Sequence, residues 1–279
     1  MIKTISKELD LTTQGPLYPP SEVMDENGNF IVIGMLNYIE NGELVTRWGR
    51  AIVSANTPAP RFGDIDQYNI IERFDDSLPE NIGNKILHTL PLPLPCANYP
   101  MVFAPEQYPD ANSEHRPSYP FHKTPIPDYE IGQSRQLLEP VTLTQWMRAK
   151  GELKVSILPN GRSARFEFLF ENLLPNSLYT IMSLRQRDLD PENPTRPWPL
   201  GIPNVFVTNN EGGAYYSVTM ENPFPRHDQE KSNRIINVVV LWMSYQMSHG
   251  GAIGRFGLGG DIHAQLKFKQ RVFDELETN

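Results

Sequence analysis

Apolar and polar residues alternate through much of the second half of the chain, and this pattern predicts β-strands. Phe166, Phe168 and Phe170 are separated by single residues, and the charged residues Arg165 and Glu167 lie between them and beside them. Successive side chains of a strand point to opposite faces of the sheet, so the three phenylalanines share the inward face. Several such segments with tight turns between them indicate a β-sandwich or a closed barrel.

Glycine-containing pairs separate these segments and indicate hairpin turns. An Asn-Gly pair supplies the positive φ angles that a tight turn between two strands needs. Asn41-Gly42 predicts a first hairpin, Asn160-Gly161 a second, and Gly212-Gly213 a third. The predicted strands are 30–38 with 44–53, 152–158 with 163–172, 178–185 alone, and 204–208 with 215–220.

Two more strands are predicted near the end of the sequence. Segment 235–243 is apolar throughout, which is typical of a central strand buried on both faces. Segment 261–269 alternates, so it predicts two sets of side chains on opposite faces. The inward set is Ile262, Ala264, Leu266 and Phe268, and the opposite set is His263, Gln265 and Lys267.

The middle of the chain has a different composition. Ten of the 26 prolines fall between Pro91 and Pro127, and proline both lacks a backbone donor and disfavours regular ladders. Because Tyr119, Phe121 and other aromatic residues interrupt this run, we expect an extended segment that wraps around the protein with its aromatic rings docked. Residues 142–151 after it predict a short helix, with Thr142 at its start.

These elements define the predicted fold: an all-β, antiparallel Greek-key β-sandwich or closed barrel, with the proline-rich wrap and one or two short helices. Strand-helix-strand alternation, which would indicate a parallel sheet, is missing from the sequence. The predicted organisation is a hairpin-containing region over 1–88, the extended segment over 89–139 and the sandwich over 140–279.

Composition and charge narrow the classes of partner. The net charge of −8 and the absence of a Lys/Arg run argue against nucleic acid or an anionic membrane as partner. The single cysteine, Cys96, rules out an intramolecular disulfide framework. No secretory leader and no apolar run of membrane-spanning length is visible, so we expect a soluble protein, either cytoplasmic or secreted without its leader.

The stretch 248–263 is where glycines and titratable side chains crowd together. His249, Asp261 and His263 are residue types that bind zinc or copper, but thirteen residues separate the two histidines, which fits no compact metal motif. A polar turn with solvated histidines is the favoured interpretation, and no metal or cofactor is predicted. The glycines lack the Gly-Lys-Ser/Thr ending of a phosphate loop, and the acidic segment 188–193 lacks the calcium-binding EF-hand pattern.

Acid/base chemistry is the second interpretation of the same stretch. His263 would carry the proton, oriented by Asp261 or Gln265, with Arg255 stabilising negative charge and His249 nearby in sequence. Segment 115–123 would form a lid, and its His115 or His122 would complete the site. No Gly-x-Ser-x-Gly elbow is present, so covalent hydrolysis by serine is not expected.

The order of these features resembles a known group of folds. The chain has a strand over 151–155, an Asn-Gly turn, a strand ending in 173–180, a Gly-Gly turn and a glycine-rich loop before His263-Ala264-Gln265-Leu266. This order is similar to that of the CHRD and Cu,Zn superoxide dismutase-like Greek-key sandwiches. It is also similar to that of bacterial β-sandwich proteins that end in a His-x-Gln-Leu strand. The resemblance covers about 140–270. Met182 and Ser183 stand where the dismutases carry a His-x-His pair, so the resemblance does not imply copper redox chemistry.

Three functions remain open at this point. The first is binding of a small hydrophobic or aromatic molecule near the loop 249–260. Its predicted lining is Trp242, Tyr245, Phe256, Gln265 and His122. The second is an isomerase, cyclase or lyase that uses His263. The third is a structural protein whose extended arms assemble a homo-oligomer.

Overall fold

The computed structural model describes residues 3–15, 20–58, 64–91, 115–125, 139–193, 195, 197–226, 232–252 and 262–278. Two short α-helices, α1 (Glu80–Gly83) and α2 (Leu143–Trp146), accompany the strands. The strands are β1 (Thr4–Glu8), β2 (Asp10–Leu11), β3 (Phe30–Glu40), β4 (Glu43–Val53), β5 (Ile70–Arg73), β6 (Lys150–Ile157), β7 (Ser163–Glu171), β8 (Leu178–Arg185), β9 (Trp198–Pro199), β10 (Val205–Val207), β11 (Ala214–Glu221), β12 (Ile235–Met243) and β13 (Ile262–Lys267).

The predicted all-β sandwich of antiparallel sheets is confirmed. In the described part of the chain, the first sheet has the order β1-β6-β7-β11, and the second has the order β10-β8-β12-β13-β2 with β9 on β8. The chain crosses from β7 to β8 and later from β11 to β12, which places β11 beside β7 and β12 beside β8 in Greek-key fashion. The inward faces pack on each other, and β7 alternates as expected, because its three phenylalanines are buried and the residues between them are not.

The N-terminal strands belong to both sheets of the sandwich. β1 pairs with β6 in the first sheet, and β2 pairs with β13 in the second. Leu9 lies between them and donates its backbone N–H to Gly151 O at 2.8 Å. It is buried in the hydrophobic cluster between the two sheets, which we call the main core and which includes Phe166, Phe168, Val240 and Leu266. This segment therefore closes one side of the sandwich.

A third sheet, the hairpin sheet, has the order β3-β4-β5. Asn41 and Gly42 form its turn with φ angles of 53° and 87°, so the hairpin predicted from the Asn-Gly pair is confirmed. The beginning of β3 is buried on both faces, because Ile31 and Ile33 pack in the main core while other residues pack in a second cluster. That second cluster contains Met24, Phe30, Val32, Leu36, Ala51, Val53, Tyr68 and Leu90.

The third predicted hairpin is wrong in its pairing. Both strands form, but β10 pairs with β8 in the second sheet and β11 pairs with β7 in the first. Asn209 organises the connection, because its side-chain oxygen accepts the N–H groups of Glu211 and Gly213. The turn between β10 and β11 thus carries the chain across the sandwich instead of folding it back within one sheet.

The alternation predicted for the last strand is also wrong. All six residues of β13 are buried, and a β-bulge interrupts its pairing with β12, where Val240 faces Leu266 but the next residue, Leu241, faces Ala264. A bulge adds one residue to one strand and changes which face the following side chains occupy. Two residues from opposite predicted faces, His263 and Leu266, consequently both contact the main core.

The proline-rich segment packs on the sandwich through its described part. Phe121 lies in a 3₁₀ turn, Phe121–Lys123, and is 3% exposed in the main core. Backbone hydrogen bonds tie the segment down, from Phe121 N to Leu87 O at 2.9 Å and from Thr89 N to Tyr119 O at 2.8 Å. The predicted wrap is confirmed at this point, whereas Cys96 lies outside the described residues.

Helix α2 anchors the site region but is shorter than predicted. Thr142 caps it, and its side chain and that of Gln145 each accept the other's backbone N–H in a capping box. The helix ends at Trp146, and the basic residues predicted for its last turn, Arg148 and Lys150, lie beyond it, with Lys150 as the first residue of β6. Trp146 is fully buried and its Nε1 donates to Thr12 O at 3.0 Å.

The segment after β13 is held by a buried arginine. The Arg234 side chain is fully buried, and its Nη2 donates to the carbonyl oxygens of Phe273 at 2.9 Å and Leu276 at 2.6 Å. Phe273 and Leu276 themselves belong to the main core. No helix of the described residues is long and apolar enough to cross a membrane.

Candidate functional site

The residues predicted to form a site divide into two groups. Asp261, Arg255 and Phe256 lie outside the described residues. His263, His249, Trp242, Tyr245, Gln265 and His122 are described. Whether any of them binds or catalyses stays a prediction, but the structure shows which of them lie together.

His263 lies at the centre of an aromatic cluster. It is 1% exposed, and its ring centroid is 4.5 Å from that of Phe121 and 5.4 Å from that of Trp242. Phe121 also contacts Trp242 at 4.6 Å and Trp146 at 5.7 Å. Phe121, the neighbour of the predicted His122, therefore packs directly against His263, and this histidine, which was expected to be solvated, is buried.

The hydrogen bonds of His263 define its tautomer. Nδ1 lies 2.8 Å from the carbonyl oxygen of Glu22, which can only accept, so Nδ1 carries the proton. Nε2 is then an acceptor, and it has no hydrogen-bond partner among the described residues. Burial lowers the pKa of His263 to about 3, opposed by the bond to Glu22, so the imidazole is neutral at physiological pH. A neutral, covered imidazole suits a structural acceptor better than a proton carrier.

The remaining predicted residues lie around this cluster in different roles. Gln265 accepts the Tyr179 hydroxyl at 2.8 Å and donates to Trp146 O at 3.2 Å, so it is a buried bridge. Tyr245 lies beside Arg116, whose guanidinium carbon is 5.6 Å from the tyrosine ring. Burial lowers the pKa of the half-buried His122.

His249 precedes a 3₁₀ turn, Gly250–Ala252, and its carbonyl accepts the Ala252 N–H at 3.0 Å. Within the described ranges, no group of three or more His, Cys, Asp and Glu residues is arranged to hold a metal ion. The acidic loop considered for calcium uses Asp188 internally, because its carboxylate accepts the backbone N–H of Arg185 at 2.7 Å and the hydroxyl of Thr195.

A buried polar network, which sequence reasoning missed, connects His263 to the hairpin sheet. Glu22 is 3% exposed; its carbonyl bonds His263 and its Oε2 accepts the Ala264 N–H at 2.5 Å. Lys267 is 8% exposed and its Nζ donates to Gln14 O at 2.7 Å. Burial raises the pKa of Glu22 to about 8, and burial lowers the pKa of Lys267 to about 8, while each group's charge opposes the other's shift.

Gln14 joins this network to the middle of β3. Its Oε1 accepts the Met35 N–H at 2.8 Å and its Nε2 donates to Met35 O at 3.1 Å. The side-chain amide thus makes the two backbone hydrogen bonds that a paired strand would make to Met35. Gly34 makes this approach possible, because a Cβ atom there would lie 2.5 Å from the Gln14 Oε1. The glycine in the middle of a strand thus marks a close contact rather than a turn.

Beside Lys267 lies a cavity of about 400 Å³, which we call the Trp48 cleft, between the hairpin sheet and the second sheet. Trp48 forms one wall, and the ring centroid is 5.5 Å from Lys267 Nζ and 5.7 Å from Lys269 Nζ, within cation–π range. The polar lining includes Gln14, Asn37, Asp64, Tyr68, Asn237, Lys267, Lys269 and Arg271. The apolar lining includes Met35, Trp48, Ile65, Leu184, Leu189, Ile236 and Phe268.

Exposure separates the floor of the Trp48 cleft from its mouth. Tyr68, Ile236 and Phe268 are at most 4% exposed, whereas Met35 is 39% and Ile65 54% exposed. A volume in this range, with apolar walls and polar groups among them, is typical of small-molecule sites. Neither this cavity nor a second one beside Trp48 and Arg50 is lined by His263.

The protein is an all-β sandwich in which the hairpin sheet packs on the second sheet. The Trp48 cleft, whose volume suits a small molecule, lies between these two sheets. The chain matches no protein-family model, no curated protein and no solved structure. The resemblance to the CHRD and Cu,Zn superoxide dismutase-like sandwiches therefore stays a prediction.

The raised pKa of Glu22 gives a prediction on stability. A carboxyl with a raised folded-state pKa contributes stability that is complete below its ordinary pKa of 4.5 and is lost as the pH rises through about 8. Glu22→Gln has no such loss, so we expect it to match the wild type at pH 4.5 and to exceed it by about 4 kcal/mol at pH 8. Urea unfolding at both pH values measures this, with the exposed Glu152→Gln as control. An equal difference at the two pH values would contradict it.

Proposed function

We propose that the protein binds a small molecule with an apolar or aromatic body and an anionic group in the Trp48 cleft. The observation that carries the proposal is the cleft itself: about 400 Å³ of space with an aromatic wall, a buried floor and lysine side chains over the aromatic ring. Small-molecule sites combine an apolar lining with a few placed polar groups in this way.

Charge supports an anionic group on the ligand. Lys267, Lys269 and Arg271 line one side, and Asp64 is the acidic residue of the lining. Asp10 offsets part of this charge, because its carboxylate lies 3.1 Å from Lys269 Nζ.

The alternative of acid/base chemistry at His263 has less support. Its Nε2 is buried under Phe121, and its pKa of about 3 leaves it unprotonated near neutral pH, far from the value that suits a general acid or base there. The unpartnered Nε2 is the observation in its favour. A ligand that donates a hydrogen bond to that atom would have to enter the buried cluster of His263, Phe121 and Trp242.

Blocking the mouth of the cleft tests the proposal. Met35→Trp places a larger side chain at the rim, and we expect it to weaken binding of 4-methylbenzoate at least about tenfold, equivalent to about 1.4 kcal/mol. Isothermal titration calorimetry of the full chain measures the affinity. Leu44→Trp is the matched control, since Leu44 is 42% exposed on the same hairpin but does not line the cleft.

Native mass spectrometry of protein purified from its source complements the titration, because it reports the bound small molecule and the oligomeric state together. We expect a bound species that Met35→Trp loses and Leu44→Trp retains. Binding that is equal in all three proteins would place the ligand elsewhere, and no binding in any of them would contradict the proposal.

A further inference from the structure

Lys267 is a buried ionisable group that lines the Trp48 cleft. It is the last residue of β13, and only 8% of its surface is exposed. A lysine ammonium needs three hydrogen-bond acceptors, and Lys267 Nζ has one, the Gln14 carbonyl oxygen at 2.7 Å, among the described residues. The Trp48 ring face, 5.5 Å away, occupies another direction.

The surroundings of Lys267 favour the neutral amine. Removing an ammonium from water without full hydrogen bonding disfavours its charged form, and burial lowers the pKa of Lys267 accordingly to about 8. The groups around it are Glu22 before β3, which favours the charged form, the cationic Lys269 and Arg271 after β13, and Asp64 and Tyr68 across the cleft. A desolvated lysine amine near neutral pH is a nucleophile, and amines of this kind form imines with carbonyl compounds.

We propose that Lys267 captures the carbonyl group of a small anionic aldehyde or ketone in the Trp48 cleft as a reversible imine. This inference rests on the proposed binding function and adds to it the chemical class of the ligand. The nitrogen lone pair attacks the carbonyl carbon and forms a C–N bond, and the carbonyl oxygen takes up the proton that the nitrogen releases. Loss of water from this carbinolamine gives the C=N bond, so the amine and the carbonyl compound become an imine and one water without oxidation or reduction.

The cleft explains why the reaction would be selective for this lysine. Trp48 and Phe268 provide apolar walls for the body of the ligand, while Lys269 and Arg271 interact with its anionic group. Lys154, by comparison, is exposed on β6 and projects from the outer face of the first sheet. Near pH 8 about half of the Lys267 amine is neutral, whereas an ordinary lysine with a pKa of about 10.4 is almost entirely protonated.

Reductive trapping tests the inference on the intact chain. The protein is incubated with 4-carboxybenzaldehyde and sodium cyanoborohydride over pH 6 to 10, and the modified lysines are located by peptide mass spectrometry. We expect Lys267 to be labelled at least about tenfold faster than Lys154 at pH 8, with a rate that levels off above pH 8. Lys267→Arg should remove this fast label, and Lys154→Arg should leave it unchanged. Because the label is located in the wild type, the result does not depend on the stability of a variant.

Titration with 4-methylbenzoate, which has the same ring and carboxylate but no aldehyde, separates the two proposals. Fast labelling of Lys267 supports imine capture whether or not this analogue binds measurably. If the analogue binds but Lys267 is labelled no faster than Lys154, the imine is overturned and the binding function stands. If the analogue does not bind and Lys267 shows no preference, both are overturned.

Discussion

Replacing His263 with phenylalanine should make the protein more resistant to acid. The folded protein holds His263 neutral with a pKa of about 3, whereas the unfolded chain takes up a proton below the ordinary value of 6.5. The stability from this group is therefore present above pH 6.5 and is lost as the pH falls towards 3, by up to about 1.4 kcal/mol per pH unit. At pH 4.5 the wild type should have lost about 2–3 kcal/mol through this residue alone.

The phenylalanine variant keeps a ring among Phe121 and Trp242 but cannot be protonated. At neutral pH it loses the hydrogen bond to Glu22 O, which is worth about 1 kcal/mol. We therefore expect it to be slightly less stable than the wild type at pH 7 and more stable at pH 4.5. Glu22 is present in both the wild type and His263→Phe, so its pH-dependent contribution cancels when the stabilities of these two proteins are subtracted.

Urea unfolding curves at pH 7 and pH 4.5 measure this crossing. His115→Phe is the control, because His115 is exposed and its replacement should leave the acid sensitivity of the wild type unchanged. If wild type and His263→Phe lost equal stability between the two pH values, His263 would not be the buried neutral base that its surroundings indicate.

Replacing Arg234 with methionine should have the largest effect on stability at neutral pH. Methionine fills much of the same space but leaves the carbonyl oxygens of Phe273 and Leu276 buried without their charged donor. Bonds from a charged donor contribute about 1.5–3 kcal/mol each, so we expect a loss of about 3 kcal/mol or more.

The loss should be concentrated after β13. Hydrogen exchange should accelerate at Leu276 and Thr278, whose N–H groups bond Phe273 O and Phe224 O. Arg165→Met is the matched control, since that side chain is 50% exposed on the first sheet and its replacement should stay within about 0.5 kcal/mol. A loss of similar size in both variants would show that Arg234 does not clamp this segment.

Local sequence patterns predicted most strands because their physics is local. The Asn41-Gly42 turn and the phenylalanine alternation of β7 each involve neighbours in the chain, and both were predicted correctly. The pairing of β10 and β11 was not, because two strands joined by a short loop look the same in sequence whether they share a sheet or cross between sheets. The β-bulge in β13 was not predicted either, because no residue pattern in the sequence of this strand indicates it.

The Trp48 cleft and the buried network of Glu22 beside it were missed for a related reason. Glu22 follows a proline pair without periodic pattern, and charged residues are ordinarily exposed, so nothing in the sequence indicates its burial. The alternating pattern predicted Lys267 on a polar face of the last strand, but both faces of β13 are buried. The signal that could have found the cleft is Gly34, a glycine inside a predicted strand, which indicates close approach of another group.

The separation along the chain of the groups that build the cleft has a consequence for synthesis in the cell. Gln14 and Lys267, joined by one hydrogen bond, are 253 positions apart. A ribosome-bound chain that lacks β13 has neither the lysine nor the strand that pairs with β2, so it has no cleft. We therefore expect a ligand of the proposed kind to stabilise the finished protein but not to act as a template for its nascent chain.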